Sequence, residues 1–263
     1  MLKYVCVGPK KCGTTWLYHN LDLLKTYSFP IMEKEIFYWD KYYDRGLDWY
    51  YKNFHHSKNM AEISPSYFTS SKACRSLHSY NEELKILILL RDPVDRCVSH
   101  FKHHYRKGRI PYNIKKAVEM IPEIKEASHY KKYCSMWLES FGDKKVKIIP
   151  YDEIRQKPLD VIREIVEFFD NKIEVERSDF DFSARNLATY PRNYFIAKIL
   201  TNIADTLRDL RMYKLVNFGK SLKLQKIYSG GKCKKEIHQK QLDFINNWFE
   251  EDMAFLAGII KER

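Results

Sequence analysis

Two stretches of this chain carry residue types able to hold an anion. The first is Gly8-Pro9-Lys10-Lys11-Cys12-Gly13-Thr14-Thr15-Trp16-Leu17, a turn with two glycines, two lysines and two hydroxyls. Tyr4-Val5-Cys6-Val7 before it reads as a short buried strand, and Trp16, Leu17, Leu21 and Leu24 after it have helical spacing. The first N–H groups of such a helix lack backbone partners, and its dipole favours negative charge there, so strand, glycine turn and helix make a phosphate cradle. The second stretch follows Leu84-Lys85-Ile86-Leu87-Ile88-Leu89-Leu90, a near-continuous apolar run expected of a parallel strand buried on both faces. In Arg91-Asp92-Pro93, Asp92 suits an N-cap and Pro93 the first helical position. That leaves Arg91 at the carboxyl end of a strand, where open α/β sheets bind ligands. Its planar fork can grip a phosphate, and Ser99, two turns into the helix, can donate a hydroxyl hydrogen bond. Arg96 reads as surface or structural rather than ligand-binding. His100, His103 and His104 share that helix at spacings that could bind metal, but with no carboxylate or cysteine set beside them they read as packing or solvated, and no metal is expected.

These residues need elements to hold them. Asn59 to Ser70 reads as a short strand, a Pro turn and a helix entry, and Val146 to Tyr151 as a further strand. Ala127 to Phe141 is an amphipathic helix ended by Gly142, and Leu159 to Phe169 another. Ile173 to Tyr190 lacks periodicity and reads as a loop. Tyr194 to Met212 is helical, with Ile196, Ile199, Leu200, Ile203, Leu207 and Leu210 on one packing face. Tyr228 to Lys235 is a basic connector. Glu236 to Lys261 reads as one last helix, packing through Ile245, Trp248, Phe249, Met253 and Leu256. The aromatics from Phe29 to Phe54 read mostly as core, with a minority lining an acceptor cleft.

The chain has 263 residues, with no repeat, low-complexity tract or Gly/Ser/Pro linker, so a single domain over 1–263 is expected. The fold class is α/β, a central parallel β-sheet flanked by helices. No apolar run approaches a membrane span, and the N-terminus enters a strand without a signal-peptide layout. The six cysteines, Cys6, Cys12, Cys74, Cys97, Cys134 and Cys233, are scattered without metal-ligand spacing; reduced thiols in a cytoplasmic protein are the simplest account. A net charge of +12 suits anionic ligands: nucleotides, nucleic acid, acidic glycans or a membrane surface.

Pro9-Lys10-Lys11-Cys12-Gly13-Thr14-Thr15-Trp16-Leu17 resembles the 5′-phosphosulfate loop of sulfotransferases that use 3′-phosphoadenosine 5′-phosphosulfate (PAPS), with Lys11 as the matching lysine. Arg91-Asp92-Pro93 with Ser99 resembles the same family's 3′-phosphate motif. Lys34-Glu35-Ile36-Phe37-Tyr38-Trp39-Asp40 resembles a segment of its glycosaminoglycan-type members, in which the glutamate is the general base; Glu35 occupies that place. Glu62-Ile63-Ser64-Pro65-Ser66-Tyr67-Phe68 resembles another segment bordering the active site. Two positions depart from the pattern. Phe37 stands where those enzymes often carry His, and Ile63 replaces a lysine, which weakens or relocates whatever contact that lysine makes.

The resemblance covers most of the first 170 residues and implies a P-loop nucleotide-kinase-like sulfotransferase fold. It implies transfer of a sulfuryl group from PAPS to an acceptor hydroxyl, leaving PAP, without a metal. Lys11 and Glu35 would be catalytic; Lys11, Cys12, Gly13, Thr14, Thr15, Trp16, Arg91 and Ser99 would hold the nucleotide. Glu62, Ser64 and Tyr67 are further candidates, Tyr130 a cofactor neighbour, and Lys232 or Lys234 a closing loop. The Lys34-to-Asp40 segment leans toward a carbohydrate hydroxyl; a small-molecule acceptor stays open, and oligomeric state is not legible. Two alternatives stand beside this reading. A P-loop kinase or NTPase needs a lysine where Thr14 stands. A basic nucleic-acid-binding protein leaves the paired phosphate motifs without a reason, so no nucleic acid is expected.

Overall fold

The computed structural model describes residues 1–55, 59–169, 173–180, 182, 190–191, 194–210, 212, 215–216, 218–219, 229–231, 237 and 239–263. Four parallel strands, β1 (Leu2–Gly8), β2 (Met60–Ile63), β3 (Lys85–Leu90) and β4 (Val146–Pro150), form one sheet in the order β2-β1-β3-β4. The helices, in chain order, are α1 (Thr14–Leu23), α2 (Leu47–Tyr51), α3 (Ser71–Tyr80), α4 (Pro93–Arg106), α5 (Ile114–Met120), α6 (Glu123–Glu126), α7 (Tyr130–Phe141), α8 (Tyr151–Gln156), α9 (Pro158–Phe168), α10 (Tyr194–Asp209), α11 (Gln239–Asn246) and α12 (Glu250–Glu262). The described residues group into two compact units, one of 1–96, 126–185 and 249–263, the other of 97–125 and 186–248.

In the first unit the period-two alternation of strands sorts side chains into two cores. Val5, Val7, Ile86, Ile88 and Leu90 join residues of α3, α7 and α12 on one face. Tyr4, Cys6, Leu87, Leu89 and Ile149 join residues of α1 and α9 on the other. Helices thus cover both faces, and the central strands read as unbroken apolar runs for that reason. The expected α/β class and parallel sheet are what the structure has. Local signals set the helix ends. Ser70 Oγ accepts from the Ala73 N–H at 3.1 Å, Asp92 Oδ1 accepts from the Asp95 N–H at 2.8 Å, and Gly142 ends α7 with φ 76°.

The second unit holds most of α4, then α5, α10, α11 and a short antiparallel pairing of Tyr190–Pro191 with Ser229–Gly231. Here α10 departs from expectation. Its apolar face does not pack inward: Ile199 is 58% and Ile203 51% exposed, while Ala197 and Thr201 are buried. Gly108, at φ 68°, supplies the reason. A Cβ there would lie 2.9 Å from the Lys198 backbone, so the helix comes in backbone-close through its small residues. The expected single last helix is two, α11 and α12. Asn246 and Asn247 are poor helix formers, and Glu250, Glu251 and Asp252 in the first turn favour a fresh start. Within the loop expected over 173–190, the described part contains one 3-10 turn, Arg177–Asp179. Lys232, Cys233 and Lys234 lie outside the described residues. No helix among the described residues is long and apolar enough to cross a membrane.

Candidate active site

The order β2-β1-β3-β4 reverses direction between β1 and β3, so the loops leaving these two neighbours open at a topological switch point. β1 leads into the glycine turn and β3 into Arg91. The turn owes its shape to residues with left-handed backbone: Gly8 at φ 107°, Lys11 at φ 77° and Gly13 at φ 92°. For a lysine that conformation costs on the order of 1–3 kcal/mol, a strain met where backbone shape serves a site. Gly8 is required sterically, and Gly13 is favoured by its φ and a tight approach. A Cβ on Gly8 would lie 2.6 Å from Pro65 Cα, and one on Gly13 would meet the Tyr151 ring at 3.1 Å. Gly13 is the N-cap of α1 and has no side chain to cap the helix's first donors.

Around this turn the predicted residues take distinct positions. Thr14 is buried and begins α1, Thr15 and Lys11 are half-buried, and Trp16 is buried with its ring stacked on Phe182 at 6.2 Å. Cys12 is fully buried. Burial pushes its thiol up to about 11, against the pull of the Arg96 and Arg91 charges and a hydrogen bond from the Arg91 backbone. Its side chain therefore stays a neutral thiol, 4.0 Å from the Tyr130 hydroxyl. Arg91 is half-buried, paired with Asp95 at 2.9 Å, and its guanidinium lies 5.3 Å from the centre of the Tyr151 ring. Burial works against the Arg91 charge, but the bond to Asp95 prevails and raises its pKa. The Tyr151 ring thus lies close to both Gly13 and Arg91. Arg96 is fully buried and donates from Nε to Ser128 Oγ at 2.5 Å, which makes it structural. Ser99 is half-buried on α4, in the stretch belonging to the second unit.

The segment between α1 and the 3-10 turn Tyr43–Arg45 has no regular structure. Glu35 is 24% and Lys34 19% exposed, and the Lys34 Nζ lies 3.4 Å from Glu35 Oε1. The same Nζ donates to Thr14 Oγ1 at 3.4 Å, which ties the segment to the start of α1. Phe37 has left-handed backbone, φ 56°, and the Lys41 ammonium sits 5.0 Å from its ring centre. Beneath lies Glu62, fully buried, accepting from Tyr50 at 2.7 Å and from Ser64 and Tyr67 at 2.6 Å each. Burial raises the Glu62 pKa even though three hydroxyls favour its charged form. Glu62, Ser64 and Tyr67 accordingly bond to one another, fixing the aromatic bed on which the segment rests. Among the described residues no group of three or more His, Cys, Asp or Glu could hold a metal ion.

Sequence reasoning gave Tyr151 only a fold-building role; its signal was its place as the first residue after β4, on the same carboxyl edge as Lys11 and Arg91. It also assigned no role to Lys34, whose contact with Thr14 joins segments far apart in the chain.

Residues 3–256 match the family model described as the sulfotransferase domain. Among curated proteins, mouse heparan sulfate glucosamine 3-O-sulfotransferase 5 is 25% identical over 197 residues, covering 69% of this chain and 57% of its own. The Xenopus laevis bifunctional heparan sulfate N-deacetylase/N-sulfotransferase 1 is 27% identical over 190 residues, covering 63% of this chain and 22% of its own. The chain therefore spans less than two thirds of either relative. Among solved structures, a sulfotransferase from Alicyclobacillus acidocaldarius shares the fold with a TM-score of 0.59 at 22% identity, over 68% of this chain and 88% of that one.

Proposed function

Because this chain belongs to the sulfotransferase domain family, we propose that it transfers a sulfuryl group from PAPS to an acceptor hydroxyl, releasing PAP. The observation that carries the reading is the meeting of the β1 turn and Arg91 across Tyr151. A nucleotide with phosphate at both 5′ and 3′ positions needs two anion sites one adenosine apart, and the neighbouring strand ends supply them. The N–H groups at the start of α1, with the Thr14 and Thr15 hydroxyls and the Cys12-to-Trp16 backbone, hold the 5′ end. Arg91 and Ser99 hold the 3′-phosphate, the group that separates PAPS from ATP.

In the reaction the acceptor oxygen attacks sulfur in line. A new S–O bond forms, the S–O bond to the 5′-phosphate breaks, and its electron pair leaves with PAP. Glu35 takes the hydroxyl proton. Lys11 stabilises the charge growing on the oxygen between sulfur and phosphorus. Lysine and helix N–H groups provide the positive field, so the scheme assigns no step to a metal.

The acceptor belongs to the same proposal: a carbohydrate hydroxyl. The net charge of +12 favours an acidic glycan, and the curated relatives named above are heparan sulfate enzymes. The family model spans both compact units, which supports treating 1–263 as one working domain. A reducing, cytoplasmic setting belongs to the same proposal, as the simplest account of cysteines scattered without metal-ligand spacing. Calorimetry with 3′,5′-ADP, ATP and an oligonucleotide tests the donor. Tight binding of 3′,5′-ADP alone supports the reading; preference for ATP with magnesium, or for the oligonucleotide, rejects it. Labelled PAPS offered with desulfated heparan-type oligosaccharides, simple sugars and phenols identifies the acceptor class.

A further inference from the structure

We infer that Lys34 supplies a second positive charge at the point of sulfuryl transfer. This rests on the sulfotransferase reading above. Ile63, 2% exposed in the apolar cluster beside α1, carries no charge. Lys34 reaches the cradle from the other direction. Its Nζ lies 3.4 Å from Thr14 Oγ1, at the anion-binding end of α1, and 3.4 Å from Glu35 Oε1. Hydroxyl, ammonium and carboxylate therefore stand side by side: one belongs to the donor cradle, one to the candidate base, and Lys34 joins them.

The chemistry of an ammonium in that place follows from its partners. Lys34 has three N–H donors. The hydroxyl is neutral, and 3.4 Å is longer than the 2.7–2.9 Å of a strong charge-assisted bond. Donor capacity is thus left for an anion arriving at the start of α1. Before transfer the counter-charge of Lys34 is the Glu35 carboxylate. As the acceptor proton reaches Glu35 that carboxylate is neutralised, while negative charge builds on the phosphate oxygen leaving sulfur. The ammonium then follows the charge from Glu35 to the oxygen that leaves with PAP. Its interaction is stronger in the transition state than before it, which is what raises turnover rather than affinity.

The test uses the full chain with Lys34→Met and Lys34→Arg. Four quantities are read: sulfate transfer from labelled PAPS to the best acceptor found, PAP release with water as acceptor, PAP affinity by calorimetry, and thermal melting. Lys34→Met is expected to lower kcat by ~10²-fold in both assays. PAP affinity and melting should stay near wild type, and Lys34→Arg should recover most of the loss. Wild-type kcat in Lys34→Met, or a loss expressed only as weaker PAP binding, overturns the inference and leaves the family reading standing. A lowered melting point with no rescue by arginine assigns Lys34 a structural role and also overturns it. A wild-type chain that neither binds PAP nor releases it from PAPS overturns the donor assignment itself, and Lys34's role with it.

Discussion

Between Gly8 and Thr14 the chain makes its site from backbone: left-handed turns, a helix start without a side-chain cap, and glycines pressed against Pro65 and Tyr151. Between Pro30 and Asp40 it makes its site from side chains on an irregular segment, with Lys34 and Glu35 partly exposed and Phe37 in a strained conformation. The first region is anchored at both ends by regular elements. The second is held from beneath by aromatic packing around Glu62, by hydrogen bonds such as Ile31 N–H to the Asn53 carbonyl at 2.8 Å, and by the reach of Lys34 to Thr14. A backbone site tolerates few residue types, because each φ and each close approach restricts the choice. A side-chain site can exchange one functional group for another while the scaffold stays put. Both departures from the family pattern, Phe37 and Ile63, bear on the second kind of region.

The contrast gives mutations with opposite signatures. On the acceptor side, Glu35→Gln should lower kcat by ~10²–10⁴ with little change in PAP affinity. A near-normal rate would move the base elsewhere and remove the chemistry from this segment. Lys11→Ala, in the backbone-built turn, should cut turnover by ~10²–10³ with a smaller loss of nucleotide affinity; substantial surviving activity would show that the helix start alone carries the charge. Arg91→Ala should act chiefly on binding, weakening 3′-phosphorylated nucleotides ~10–100-fold while leaving nucleotides without that phosphate unaffected. Equal losses for both would put the 3′-phosphate elsewhere and blur the division between regions.

The smallest effect is read in stability. Burial raises the Glu62 pKa above its ordinary 4.5. A carboxyl whose proton is held more tightly in the folded state contributes stability that is full below the unfolded pKa and is lost as pH rises through the folded one. Wild type should therefore lose melting temperature relative to Glu62→Gln as pH climbs from about 4.5 toward neutrality. Parallel curves for the two proteins would mean that the three hydroxyls fully offset the burial.

The same division explains what could be read from the sequence. The β1 turn and the Arg91-Asp92-Pro93 start of α4 were legible because glycine spacing, an N-cap and a first-position proline are local signals with local causes. Arg96 was legible only as not binding ligand; that it is buried rather than on the surface came from the fold. Tyr151 was not, because its importance lies in which strand stands next to which, and order in a sheet is not written in any one segment. Lys34 escaped for a similar reason: lysine beside glutamate on an irregular segment looks solvated until the fold brings Thr14 within reach. The outward face of α10 was misread because an apolar helical stripe ordinarily marks the core, whereas here Gly108 draws the helix in by its small side. The break between α11 and α12 was passed over because the apolar periodicity continues across it.

The carboxylate of Glu62 works as a jig. An oxygen pair accepting three hydroxyls, from α2, from the β2 exit and from the 3-10 turn Tyr67–Thr69, fixes those pieces in rotation as well as distance. A bed clamped in that way can carry different reactive groups above it without being rebuilt each time. Exchange of acceptor preference among enzymes sharing this bed should then need few substitutions, concentrated in the ten or so residues that ride on top.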